Sequence, residues 1–377
     1  MKPKQKILFL MNVDWRWITQ RPHFLAQQLN VIYEVILLYP FSWRRKNLVK
    51  SSQKPSKLFP LIRFPFSSKF IFLFQLNSFL IKNVVKIFLF IYRPEILWIS
   101  SPEMINWIPK NRNLIIIYDC MDDFVAFPSN HERIKDFIFW ENKLLQSSHI
   151  VFFSSLTLME VVKARYNFKA KSVVINNGLS TEALKGSLTR KLKPNNSQRI
   201  IVGYIGTISS WLNFDLLLEA LNKNQNLNIH LIGPVDTSFK MSNSHPRLTL
   251  HGPVSHSGLR SMVSSFDAFI MPFNPSNLIN SVDPVKIYEY IYFNKPIFSV
   301  YYYEMKKFDE FVDFFVTSND LLNLIAKYVK LNFRPKSNNK LRLQFISNSE
   351  WSERSKSIHR EILLYKKEGK FISNGNF

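Results

Sequence analysis

Residues 281–296, Ser-Val-Asp-Pro-Val-Lys-Ile-Tyr-Glu-Tyr-Ile-Tyr-Phe-Asn-Lys-Pro, constrain the architecture more tightly than any other part of the chain. Asp283 and Pro284 mark a helix start, because Asp accepts from free amide hydrogens and Pro suits the first helical position. Lys286 and Glu289 fall three residues apart on one face of that helix, and an apolar strand, Pro296 to Val300, follows at once. A helix N-terminus beside a cation is an anion site. A carboxylate one turn further in accepts from two vicinal hydroxyls. Diphosphate followed by ribose presents its groups in that order. The plainer reading of the same residues is a capped amphipathic helix with a Lys–Glu pair on its solvated face.

Upstream of this helix the chain alternates strand and helix patterns twice over. In the first half, strands read at 6–12, 34–40, 95–100, 114–120, 150–155 and 172–177, with helices at 19–29, 131–147 and 156–166. Short continuous runs such as Ile115-Ile116-Ile117-Tyr118 indicate strands buried on both faces, hence a parallel sheet with helices outside. A polar, basic stretch at 186–198 breaks the rhythm and reads as a linker. The second half restarts with strands at 199–205, 228–232, 248–252, 268–272, 296–300 and 314–317, and helices at 214–222, 257–264, 284–293 and 318–329. The expectation is an α/β protein of two Rossmann-like domains facing across a cleft, 1–185 and 199–345, followed by a charged helical segment at 346–377.

Open parallel sheets bind ligands at the C-terminal ends of their strands. There the second half places Gly206, Thr207 and Ser209, a turn whose backbone amides suit phosphate oxygens, then Gly233 and the turn from Gly252 to His256, which contains Val254. The first half places Tyr118-Asp119-Cys120-Met121-Asp122-Asp123 at a strand end. Asp119, Asp122 and Asp123 are candidates for hydrogen-bonding, orienting or deprotonating a ligand hydroxyl. Glycosidase-type paired carboxylates and simple turn-capping are the rival readings. Between the first strand and first helix, Trp15 and Trp17 offer flat faces that stack on sugar rings, Arg16 and Arg21 suit a phosphate or carboxylate, and His23 follows them; packing and capping are the plainer reading.

Pro284, Lys286, Glu289, Tyr290, Lys295 and Pro296 resemble the C-terminal signature of the GT-B glycosyltransferases, especially the large retaining family called family 4 or group 1, of bacterial cell-surface polysaccharide synthesis. The Tyr-Asp turn at 118–119, the Gln20-Arg21-Pro22-His23 segment and Asn177-Gly178 are similar to further segments of the same group. The resemblance implies a nucleotide-diphosphate sugar donor, Glu289 on its ribose, Lys286 and the Gly206 turn on its diphosphate, and Asp283, Gly233 and Val254 also on the donor side. It places Asp119 by a sugar hydroxyl, Asp122 or Asp123 by the acceptor, and Trp15, Arg16, Arg21 and His23 on the acceptor side. It also implies a last helix, anchored by Trp351, that crosses back to the first domain. It implies retention at the anomeric carbon, a hexosyltransferase-type reaction without metal, and a glycan or lipid-linked acceptor. Two positions depart from the pattern: Ser281 stands where many members carry a Glu, and no cation follows Gly206. Those departures favour a catalytically inactive, membrane-associated GT-B-like subunit as a second reading; a sugar-nucleotide epimerase of the same fold, converting donor without an acceptor, is a third.

Bulk composition narrows the classes further. The chain has 377 residues, 46% of them apolar, with nine glycines, one cysteine (Cys120) and a formal charge of +23. A lone cysteine excludes intrachain disulfides and fits a reducing, cytoplasmic compartment. No cofactor and no metal are expected. The excess positive charge favours an anionic partner, and without a helix-turn-helix, zinc-finger or RNA-binding pattern that partner is not nucleic acid. Residues 61–93 carry long aromatic and aliphatic runs with Lys82, Lys86 and Arg93. The uncharged stretch 70–81 is too short to span a bilayer. It reads as a helix lying in an anionic interface at the inner face of the plasma membrane, with a buried crossover helix as the alternative.

Overall fold

The computed structural model describes residues 3–42, 55, 57–64, 70–109, 114–127, 132–184, 199–236, 239, 244–254 and 256–373. It divides into two compact units, Met1–Asn177 with Trp351–Phe377, and Gly178–Glu350. The division falls inside the Asn176-Asn177-Gly178 turn; the stretch read as a linker, 186–198, lies outside the described residues.

Among the described residues, the first unit is a seven-stranded parallel sheet in the order β3-β2-β1-β4-β5-β6-β7. Its strands are β1 (Lys6–Leu10), β2 (Glu34–Pro40), β3 (Lys57–Leu61), β4 (Ile96–Ile99), β5 (Ile115–Cys120), β6 (Ile150–Phe153) and β7 (Lys171–Val174). Side chains alternate between faces along a strand, so Leu8 and Leu10 enter one core while Ile7 and Phe9 enter the other. Both faces are covered, which explains why these strands read as unbroken apolar runs. Sequence patterning misses β3. It contains Pro60, which a sheet accepts on an edge strand, and β3 is the edge. The last helix, Trp351–Ser373, packs in this unit: Trp351 stacks on Phe24 at 5.2 Å, and Tyr33 Oη lies 2.7 Å from His359 Nδ1.

Among the described residues, the second unit is a six-stranded parallel sheet, β10-β9-β8-β11-β12-β13. Its strands are β8 (Ile200–Ile205), β9 (Leu227–Ile232), β10 (Leu248–Leu250), β11 (Ala268–Met271), β12 (Ile297–Val300) and β13 (Val312–Phe315). The last begins two residues earlier than its apolar pattern suggests. The helix of the opening motif is Val285–Phe293, with Pro284 at its cap position. Asp283 stands one residue outside it, buried, and its carboxylate takes hydrogen bonds from Tyr288 Oη at 3.1 Å and an ion pair from Lys307 at 2.7 Å, so it is a structural anchor and is not presented to a donor, a correction to its donor-binding assignment.

Candidate functional site

In the second unit, three turns at strand ends are laced together by backbone hydrogen bonds. The Gly206 N–H donates to Ile232 O, Ile208 N–H to Pro234 O, and Gly233 N–H to Gly252 O, at 2.8–2.9 Å. The two glycines meet backbone to backbone: a Cβ on Gly233 would lie 1.9 Å from the Gly206 carbonyl oxygen. Only glycine permits that approach. One expectation changes here. The Gly206 amide closes the ladder and is not offered to a ligand, and the Ser209 hydroxyl is engaged by Asp236 at 3.1 Å in a buried position. Thr207 is exposed, and among the described residues its N–H has no backbone acceptor. Asn274 holds the following loop through Ser210 O and Leu212 O, both at 3.2 Å. Val254 sits half-buried against the core.

Helix Val285–Phe293 is tied to this end of β8 by Tyr290. Its hydroxyl accepts from Ile205 N–H at 2.8 Å and donates to Ile205 O at 3.3 Å, while its ring stacks on Phe269 at 4.2 Å. Burial pushes the Tyr290 phenol well above its ordinary value, so it stays protonated and able to do both. The sequence marks Tyr290 only as part of the motif; its clamping role appears when β8 and the helix come together. Lys286 and Glu289 form a two-pronged pair, Nζ lying 2.8 and 2.9 Å from the carboxylate oxygens. Both side chains remain accessible, at 33% and 12%. Ser281 is buried, and its hydroxyl donates to Leu278 O at 2.8 Å.

The acid turn of the first unit separates three carboxylates that look alike in sequence. Asp119 is fully buried and gripped by Arg21, with Nη2 at 2.8 Å and Nε at 3.1 and 3.2 Å. Arg21 also donates through Nη1 to Ile175 O and Asn177 Oδ1. Asp123 is buried and doubly bonded to Arg165 at 2.9 and 2.8 Å. The same Arg165 faces the buried Glu141 at 3.5 Å, which accepts from Tyr118 Oη at 3.0 Å. Asp119 and Asp123 are therefore ion-pair anchors and are not presented to a substrate, a correction to the catalytic assignment of both.

Asp122 differs. It is partly exposed, and among the described residues its carboxylate forms no hydrogen bond or ion pair. Burial, opposed by the Arg21 charge and reinforced by Asp119 and Asp123, raises its pKa from 3.8 to about 7. A carboxyl group of that pKa exchanges protons near neutrality.

The acceptor-side candidates are drawn into the scaffold. Trp15 is 2% exposed and packs on His23 at 5.1 Å, so its faces are closed to a sugar ring. His23 is fully buried; Gln20 N–H donates to its Nδ1, which leaves Nε2–H to donate to Trp15 O at 3.2 Å. Burial lowers its pKa to about 4, so it is neutral. Arg16 folds back onto Asp14 at 2.8 Å and over the Phe41 ring. These residues, with Arg21, shape the β1 loop. Nothing in the local sequence distinguishes a stacking Trp from a packed one. Among the described residues, no three His, Cys, Asp or Glu side chains gather as a metal site.

No family model matches the chain. A Bacillus subtilis (strain 168) protein, TuaH, named for a glycosyltransferase of teichuronic acid biosynthesis, is 25% identical over 234 residues. The match covers 55% of this chain and 58% of that relative, less than two thirds of its length. Among solved structures, sucrose-phosphate synthase from Thermosynechococcus elongatus aligns with a TM-score of 0.76 at 13% identity, covering 97% of this chain and all of that one. Anabaena HepE in complex with UDP and glucose aligns at 0.66 and 12% identity, covering 95% and 99% of the two chains. The fold is GT-B. At such identities the likeness concerns the fold, two parallel α/β sheets joined in one chain.

Proposed function

We propose that this GT-B chain is a glycosyltransferase that moves a sugar from a nucleotide-diphosphate donor to a glycan or lipid-linked acceptor in cell-surface polysaccharide synthesis. The observation that carries the reading is the Lys286–Glu289 pair, accessible on a helix that Tyr290 fastens to the C-terminal end of β8. In this structure Lys286 Nζ donates to both Glu289 carboxylate oxygens. A donor would exchange that pair for two better-matched contacts: ribose hydroxyls donating to the Glu289 carboxylate, and diphosphate oxygens accepting from Lys286 Nζ and the Thr207 amide. Charge that develops on the departing diphosphate then meets a cation and a fixed dipole, which lowers the barrier.

In the transfer, the bond from the anomeric carbon to the diphosphate oxygen breaks and one to the acceptor oxygen forms. Asp122 is the group this reading assigns to the acceptor hydroxyl; as a carboxylate it accepts the hydroxyl's hydrogen bond, orients it and takes its proton as the new bond forms. Retention at the anomeric carbon belongs to this reading and is checked by the anomeric proton coupling of the product. Arg21 and Asp119 position the turn without touching substrate. No metal ion is needed where Lys286 and the helix supply the positive charge. A cytoplasmic place of action belongs to this reading, since a chain with one cysteine needs no oxidising compartment for an intrachain disulfide.

A GT-B-shaped subunit without donor affinity is the second reading, favoured by Ser281, whose hydroxyl replaces an acid and is bonded to Leu278 O. Calorimetry of the full chain with a panel of nucleotide diphosphates and their sugars separates the two. Binding that Glu289→Ala and Lys286→Ala each weaken at least tenfold, with melting points near wild type, supports the transferase. No binding of any nucleotide supports the subunit and overturns the proposal.

A further inference from the structure

Helix Ile71–Tyr92 has two unlike sides. One packs on the first unit's core through Phe74, Ile81, Val85 and Phe88, with Phe88 against Phe59 at 4.8 Å and Phe74 stacked on Trp140 at 5.3 Å. The other presents Phe72, Phe79, Leu80, Ile87, Phe90 and Ile91, which expose 43–76% of their surface. At about 3.6 residues per turn, Phe72, Phe79 and Phe90 stand nearly in line along the helix, with Lys82 and Lys86 along one flank. An outward row of phenylalanines is unusual for a soluble helix and marks an interaction surface.

The chemistry of the partner can be read from the charges. The helix contains no acidic residue. Among the described residues Lys82, Lys86 and the following Arg93 form no ion pair, so the flanking charge is uncompensated. Apolar side chains edged by lysines, on a chain of net charge +23, match a surface that is oily below and anionic above. By length and composition the helix also meets the requirement for crossing a bilayer, at roughly 33 Å. Packing decides against that use: the core-facing side closes the sheet, and a spanning helix would strip the first unit of that cover.

We infer that the outer face of helix Ile71–Tyr92 docks the first unit onto an anionic phospholipid surface, with Phe72, Phe79 and Phe90 in the acyl boundary and Lys82 and Lys86 among the headgroup phosphates. The inference stands independently of the donor assignment, because none of these residues belongs to the second unit. It gives the proposed transferase a place beside a lipid-linked acceptor.

The test is flotation of the full chain with vesicles of phosphatidylcholine containing roughly one-third phosphatidylglycerol, at about 0.05 M and 0.5 M salt. Wild type is expected to float with them at low salt, more weakly at high salt, and poorly with pure phosphatidylcholine. Lys82→Gln with Lys86→Gln should reduce the partition coefficient roughly thirtyfold, on the usual contribution per lysine near an anionic surface. Phe79→Ser with Phe90→Ser should abolish flotation while leaving the melting point unchanged, since both rings are outside the core. Val316→Ser, an exposed apolar position in the second unit, should float like wild type. Failure of wild type to float at low salt overturns the inference, as does undiminished flotation of the phenylalanine variant. A wild-type dimer that this variant converts to monomer, without vesicle binding, also overturns it, because the face is then covered by a second copy.

Discussion

Asp122→Asn removes the one carboxylate of the acid turn that the fold leaves unengaged, and its effect follows from the pKa. With a value of about 7, the group is roughly one-tenth ionised at pH 6, half at pH 7 and nine-tenths at pH 8. If ionised Asp122 takes the acceptor's hydrogen bond, kcat/KM should rise about tenfold per unit up to pH 7 and level off above pH 8. Asn is isosteric but cannot take a proton. The variant should lose about 10²- to 10⁴-fold in rate, and its profile should be flat across that window. Stability provides the control. A carboxyl whose folded pKa is raised favours the fold below its ordinary value, and that contribution is lost as pH climbs from 3.8 towards 7. Asn carries no charge to desolvate, so the variant should be at least as stable as wild type at pH 8. Arg21 lowers the Asp122 pKa, so Arg21→Met should move the acid limb to higher pH. The assay is product formation from labelled donor between pH 5.5 and pH 9, roughly spanning the limb. A variant within about threefold of wild type, or one that keeps the limb, refutes the assignment.

Two further outcomes test the scaffold. Arg21→Met leaves the Asp119 carboxylate buried without its partner, which costs about 3–5 kcal/mol and lowers the melting point by roughly 6–20 °C; adding Asp119→Leu should recover most of that loss, and a single variant that melts within roughly 2 °C of wild type contradicts the ion-pair account. Gly233→Ala forces a methyl group against the Gly206 carbonyl. About 1–3 kcal/mol of destabilisation and weaker nucleotide binding are expected, measured by thermal melting and calorimetry.

The agreement between patterning and structure is closest where information is local. Apolar runs at Ile115–Tyr118 and Ile150–Phe153 identify strands buried on both faces, and the spacing of Lys286 and Glu289 puts them on one side of a helix wherever that helix packs. Boundaries differ by a few residues, as with β13, because chain ends of elements answer to neighbours. Strand β3 escapes patterning because its proline is admissible only once the strand is known to lie at an edge.

The order of secondary elements, the two parallel sheets and the residue types at strand ends are set by the sequence alone, since side-chain period and glycine placement act over a few residues. Which polar group stays free is set by tertiary structure. Asp119 is neutralised by a residue 98 positions away and Asp123 by one 42 positions away. Trp15 is sealed by packing, and Tyr290 finds a strand 85 residues earlier. The strength of a charge in a folded protein depends on what lies within a few ångströms of it, and strand order in the sheet, not nearness along the chain, brings those partners together.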